Sequence, residues 1–158
     1  SYYAPRIDRV TGPSGRGATL DNNRLATRGN ESVVLDGDMF GPAGTLLSGF
    51  YANDQLENTL SGQIYAASGC NVTLAHVQIT CTTVAGVGTE HHWFALIDGQ
   101  TSNISTDTTS YRRPTIVEFD AASMAPFGIA TDGRSFVTLT GQNFGPPLSL
   151  NNNVTAEE

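Results

Sequence analysis

Residues Gly37–Pro42 read GDMFGP and residues Gly141–Pro146 read GQNFGP. Each copy follows a run of β-formers, SVVLD before the first and FVTLT before the second. A second echo precedes them: SYYAPRI opens at Ser1 and SYRRPTI at Ser110, so Ser, Tyr, Pro and Ile return after a step of 109 residues. Self-similarity at a long fixed step is the mark of a modular array. The hexapeptide has a physical reading as the end of a strand. A residue without Cβ at Gly37 or Gly141 takes the positive φ of a sharp bend. Phe40 or Phe144 then turns inward as a large apolar plug. Gly41-Pro42 and Gly145-Pro146 take the chain out of the sheet, because proline has no N–H to give a ladder.

Composition agrees with a β-rich chain. Of 158 residues, 39% are apolar and only 15% charged, with abundant Gly, Ser, Thr and Asn, a balance suited to short strands joined by turns. Short β-branched or aromatic runs bounded by turn residues occur at 6–10, 32–36, 45–51, 63–67, 76–82 and 91–98, with a last one near 102–111. About seven strands in roughly 109 residues is the size and count of an immunoglobulin-like sandwich. In HVQIT (76–80) the alternation puts Val77 and Ile79 on one face. HWFALI (92–97) is apolar on both faces, as a central strand is. Residues 11–30 form a long aperiodic segment, a candidate contact surface.

The order Tyr2-x-x-Pro5-x-Ile7, a β-run, Gly37-x-x-Phe40-Gly41, Cys70, then ITCTTVAGVG carrying Cys81, Gly86 and Gly88, then DGQTS at 98–102, resembles the IPT/TIG domain. That is the immunoglobulin-like fold shared by plexins, transcription factors and many tandem-repeat surface proteins. The resemblance implies an all-β chain with three parts: residues 1–3 as the tail of a preceding repeat, 4–111 as a complete domain, and 112–158 as the first part of a second. Tyr111, Pro114, Ile116, Gly141, Phe144 and Gly145 carry the second copy. A half-sandwich leaves Val137, Leu139 and Phe144 without a facing sheet, at about 1.5–3 kcal/mol for each large side chain left wet. Three arrangements fit: an excerpt of a longer array, strands supplied by another chain as in donor-strand pairing, or one closed domain with a tail.

Cys70 and Cys81 are the only cysteines. An even count is consistent with a disulfide in an oxidising compartment, against two buried thiols in a cytosolic protein or a zinc site lacking its second pair. The resemblance implies the disulfide, which over so short a loop contributes about 3 kcal/mol. Asn-x-Ser/Thr sequons lie at Asn30, Asn71, Asn103 and Asn153, about twice the number that chance gives for this composition. Asn71 and Asn103 are expected beside turns. The segment TSNISTDTTS offers Thr101, Ser102, Ser105, Thr106, Thr108 and Thr109 as O-glycosylation candidates, or a Thr-rich edge strand.

Other chemistry is thinly represented. His91 and His92 are adjacent in a strand pattern and point to opposite faces, which does not suit one shared metal ion. Asp36 and Asp38 flank Gly37 as a calcium-like DGD, but the second copy has Thr140 and Gln142 there. Gly15-Arg16-Gly17 lacks the Lys-Ser/Thr and helix of a phosphate loop. No Ser-His-Asp order or carboxylate pair stands out, so catalytic residues, metal and cofactor are all expected to be none.

The net charge of −7 and pI near 4.7 argue against a nucleic-acid surface, since phosphate binding depends on Lys and Arg. Residues 1–28 carry five Arg against two Asp, while 29–111 carry eight acids and no base, an asymmetry suited to head-to-tail contact between neighbours. No apolar run approaches the ~20 residues of a membrane span, and SYYAPRIDRV is no signal peptide, so a leader or anchor would lie outside this chain. The leading expectation is an extracellular or cell-surface structural protein, non-enzymatic, a rod or filament of tandem repeats. Its partners would be neighbouring repeats or copies of itself, with attached glycans. The alternatives are an adhesion or receptor ectodomain, and less so an accessory domain of a polysaccharide-acting enzyme.

Overall fold

The computed structural model describes residues 3–13, 24–56, 59–120 and 137–147. Among them no residue is helical. The strands are β1 (Arg6–Thr11), β2 (Arg24–Leu25), β3 (Ser32–Asp38), β4 (Ser48–Leu56), β5 (Thr59–Ala66) and β6 (Ser68–Leu74). They continue with β7 (Gln78–Thr82), β8 (His91–Ile97), β9 (Gln100–Thr101), β10 (Thr108–Tyr111), β11 (Thr115–Asp120) and β12 (Thr138–Gln142). One sheet runs β1-β3-β7-β6, a second runs β2-β10-β8-β4-β5 with β9 beside β8, and among the described residues β11 pairs with β12 alone. A single hydrophobic cluster draws Ile7, Val33, Leu35, Ile79 and Cys81 from the first sheet and Tyr51, Trp93, Ala95 and Tyr111 from the second. Two sheets sharing one core make a β-sandwich.

β8 is the central strand that its two apolar faces predict, lying between β10 and β4. Trp93 and Ala95 are fully buried, with the Trp93 ring stacked on Tyr51 at 4.4 Å between centroids. On the outer face Phe94 stacks on Phe50 at 5.0 Å. Asp98 (φ 46°) and Gly99 (φ 78°) form the tight turn to β9, the Asp-Gly pairing that a two-residue hairpin needs. The alternation expected for 76–80 is displaced by one element. The strand starts at Gln78, Val77 is an exposed turn residue, and the inward pair is Ile79 and Cys81.

Residues 102–107 are not the continuous strand expected near 102–111. Ser102 and Ser105 lace them to β8 instead, each with its backbone N–H donating to β8 and its hydroxyl receiving an N–H back. Ser102 N bonds Ala95 O and Ser105 N bonds Trp93 O, both at 2.8 Å. Ala95 N donates to Ser102 Oγ at 2.9 Å and Trp93 N to Ser105 Oγ at 2.8 Å. The side chains thus stand in for ladder partners along this stretch of β8.

The hexapeptide repeat is a repeat in space as well. β1 and β3 pair antiparallel with Ile7 opposite Gly37, then slip by a bulge between Ile7 and Arg9. β11 and β12 do the same with Ile116 opposite Gly141 and a bulge between Ile116 and Glu118. After each strand the backbone takes the same left-handed steps: Met39 (φ 63°) and Gly41 (φ 87°), Asn143 (φ 60°) and Gly145 (φ 92°). The expected cause of the first glycine is corrected here. Gly37 and Gly141 lie inside their strands and are absent from the positive-φ residues. They are glycine because a Cβ would collide with the carbonyl oxygen across the bulge, that of Arg6 or Thr115, and with the ring tip of Phe40 (2.6 Å) or Phe144 (2.7 Å). The bend belongs to Gly41 and Gly145.

Candidate functional site: a clasped turn, its seat and an uncovered hairpin

The turn Val84–Gly88, at the end of the sandwich where β10 finishes, is held from beneath by three tyrosines and a histidine. Tyr51 Oη accepts from Val84 N at 3.1 Å and pairs with Tyr111 Oη at 2.7 Å, and Tyr111 donates to Val84 O at 2.6 Å. Tyr65 Oη accepts from Val87 N at 3.1 Å and donates to Val87 O at 3.0 Å. His91 Nε2 lies 3.1 Å from the same carbonyl, which fixes the proton on Nε2 because a carbonyl can only accept. Gly86 is in the middle of this clasp, where a Cβ would come within 2.7 Å of both Tyr111 and Tyr65. Burial raises the Tyr51 and Tyr111 phenols above their ordinary range, so both stay protonated donors at any physiological pH.

His91 is fully buried, edge-on to Tyr65 and Tyr111 at about 5.5 Å, and burial holds its pKa below the ordinary histidine value. Its Nδ1 has no hydrogen-bond partner among the described residues. His92 faces the other way, its Nδ1 2.7 Å from Ser105 O.

Val87 presents the tip of the clasped turn to the second copy of the hexapeptide. A Cβ on Gly145 would run into Val87 Cγ1, so the glycine lets the Val87 side chain pack against the backbone there. The connection is short and bonded: Tyr111 N donates to Gly88 O and Arg112 N to Leu25 O, both at 2.9 Å, and Asn143 Nδ2 donates to Arg113 O at 3.3 Å. Arg112 also lies 3.7 Å from the Glu31 carboxylate.

Beyond this junction the two copies differ in what covers them. Val10, Leu35 and Phe40 are 4%, 0% and 0% exposed, whereas their counterparts Phe119, Leu139 and Phe144 are 68%, 50% and 50% exposed. Phe40 is therefore the expected inward plug and Phe144 is not. The inner face of β1 and β3 is closed by Tyr51, Trp93 and Ala95, and no described residue plays that part for β11 and β12.

Cys70 and Cys81 are disulfide-bonded, joining neighbouring strands β6 and β7 of one sheet. The sulfurs point inward onto Gly49 of β4, where a Cβ would lie 2.6 Å and 2.8 Å from them. The ten residues between the cysteines read as two strands and their connection, which β6 and β7 are, although Gly69 and Asn71, poor β-formers inside SGCNVTL, keep β6 out of the plain β-branched runs.

The sugar candidates fall in different settings. Asn30 is exposed in a left-handed turn, and Asn153 lies outside the described residues. Asn71 is half-buried within β6, opposite Thr80, rather than beside a turn. Asn103 is tied into the fold, because its Oδ1 accepts from Ile7 N at 2.7 Å and its Nδ2 donates to Ile7 O at 3.0 Å. With Asp107 Oδ2 accepting from Val10 N at 3.1 Å, it caps the outer edge of β1, a role readable only from the fold. Of the hydroxyls, Ser102, Ser105 and Thr109 are buried and hydrogen-bonded, Thr109 to Trp93 Nε1 at 2.9 Å, which removes them as acceptors in the folded chain. Thr101 and Thr106 are exposed and Thr108 is intermediate. Asp36 receives Gln78 Nε2 at 3.0 Å, and among the described residues no three His, Cys, Asp or Glu side chains gather as a metal site.

No protein-family model, no curated protein and no solved structure matches this chain.

Proposed function

We propose that this chain is part of a non-enzymatic structural protein, an array of immunoglobulin-like sandwiches of the IPT/TIG kind set head to tail into a rod or filament outside the cell. The observation that carries the reading is the hairpin built twice, with the same register, bulge and left-handed steps, at 6–41 and at 115–145. A chain that repeats a strand pair this closely is repeating a module, and its second copy has the apolar face that the first copy buries.

Polarity supports the rod. The sandwich is entered at Arg6, opposite the last residue of β3, and left at Tyr111 beside Gly88, at the other end of the same strands. Successive modules then follow one another along an axis. The junction TSYRRPTI is too short for a flexible tether, and its backbone bonds to Leu25 and Gly88 stiffen it. The disulfide suits an oxidising compartment. Its place within one sheet departs from the inter-sheet bridge of antibody domains, so the likeness to immunoglobulins rests on architecture alone.

Electron microscopy of natively purified protein tests this directly. The reading expects beaded filaments, and mass spectrometry of the same material expects the Cys70–Cys81 bridge intact with sugar on at least one sequon. Isolated globules at every concentration would remove the array, and free thiols with unmodified asparagines would remove the extracellular location.

A further inference from the structure

We infer that the loop Asp38–Pro42, centred on Gly41, is the seat for the apolar turn of a preceding sandwich module, a turn of the Val84–Gly88 kind. The inference rests on the array reading and assigns it a contact surface. The second copy shows how this loop is used: Gly145, at φ 92°, has the Val87 side chain against its Cα. Gly41 has the same conformation, at φ 87°, after the same bulge and the same close crossing of a strand glycine by a carbonyl. Yet the only atom near a Cβ built there is Thr45 Oγ1 at 3.6 Å, so among the described residues the position is open.

The surroundings of Gly41 suit an apolar visitor. Met39 and Leu46 are 46% and 81% exposed, and Leu74 and Val77 of the adjoining turn are also exposed. These loops form one rigid platform through Phe40 N to His76 O (3.1 Å), His76 N to Gly41 O (2.7 Å), and Gly44 N to Val72 O (2.8 Å). A bare glycine flanked by solvent-exposed Met, Leu and Val on a hydrogen-bonded platform is a shallow apolar socket, and a valine-tipped turn is the knob already seen to fill its twin. The occupant is a preceding module rather than a second free copy of this chain, because in each copy Val87 is already engaged by its own Gly145.

The test is a fusion in which a copy of residues 1–109 precedes Ser1, so that Ser1-Tyr2 take the places of Ser110-Tyr111. Nuclear Overhauser contacts from the Val87 methyls are then read by NMR. The expected result is two contacts: Val87 of the original module to Gly145 Hα, and Val87 of the added module to Gly41 Hα. If only the Gly145 contact appears, the seat is refuted while the array reading stands. If neither appears in a folded fusion, the junction itself is refuted, and the seat with it. Should the fusion not fold, Gly145→Asn in the original chain serves instead: asparagine accepts the positive φ but its side chain displaces Val87. The freed turn is then expected to shift the Gly41 amide resonance as concentration rises, and a concentration-independent Gly41 signal overturns the inference.

Discussion

Truncating each copy's phenylalanine separates a covered hairpin from an uncovered one. Phe40 is fully buried under the second sheet, and Phe40→Ala removes a whole ring from a closed core, a change that costs about 3–5 kcal/mol. Phe144 is half exposed, with no facing sheet among the described residues, so Phe144→Ala forfeits at most about 1 kcal/mol, and that from the second hairpin alone. Trp93 is the chain's single tryptophan and is stacked within the core shared by the two larger sheets, so its fluorescence reports that sandwich. In urea titrations followed at Trp93, Phe40→Ala is expected to shift the midpoint strongly downward. Phe144→Ala is expected to leave it within about 0.5 kcal/mol of the parent. Equal shifts for the two variants, or a Phe40→Ala cost below about 1 kcal/mol, would refute the asymmetry on which the modular reading stands.

The disulfide, the β1 edge and the buried histidine each give a further expected outcome. Replacing both Cys70 and Cys81 by Ala releases a loop of sequence separation 11 and should lower the unfolding free energy by about 3 kcal/mol, checked by the same titration with and without reductant. Asn103→Ala leaves Ile7 N–H without its partner at the β1 edge and should cost about 1–3 kcal/mol, with faster hydrogen exchange confined to β1. His91 has its pKa depressed by burial, so the unfolded chain takes up the proton first. Stability is full above about pH 6.5 and falls as pH drops below that value, levelling once the folded histidine protonates. Denaturation midpoints measured from about pH 8 down to about pH 4.5 should show this acid-side loss, and His91→Phe should reduce it. An unchanged profile in the variant would assign the loss to other groups.

Strand pattern is the most legible level of this chain. β3, β7 and β8 announce themselves through β-branched and aromatic runs, because packing against a second sheet selects those residues. β6 shows only through its cysteine, because its Gly69 and Asn71 serve a bulged edge strand that the disulfide secures. The duplicated Gly-x-x-Phe-Gly-Pro is plain in the sequence, but the cause of its first glycine is not. A close carbonyl across a bulge leaves no trace in a single strand's sequence, whereas positive φ is the commoner reason for glycine. The tyrosine clasp is hidden for a similar reason: Tyr51, Tyr65 and Tyr111 come from three different strands, and only the pairing of β4 with β5 and the end of β10 bring their hydroxyls to one turn. Ser102 and Ser105, sugar acceptors by composition, are ladder substitutes in the fold, since a Ser/Thr-rich segment has the same composition in either role.

Hydrogen exchange on the protein in its native assembly tests the central claim most directly. If residues 112–147 open a second sandwich, the β11 and β12 amides, and those of β12 above all, should be protected there to the same degree as their counterparts in β1 and β3. Exchange of β11 and β12 at the rate of exposed chain, while β1 and β3 stay protected, would contradict it.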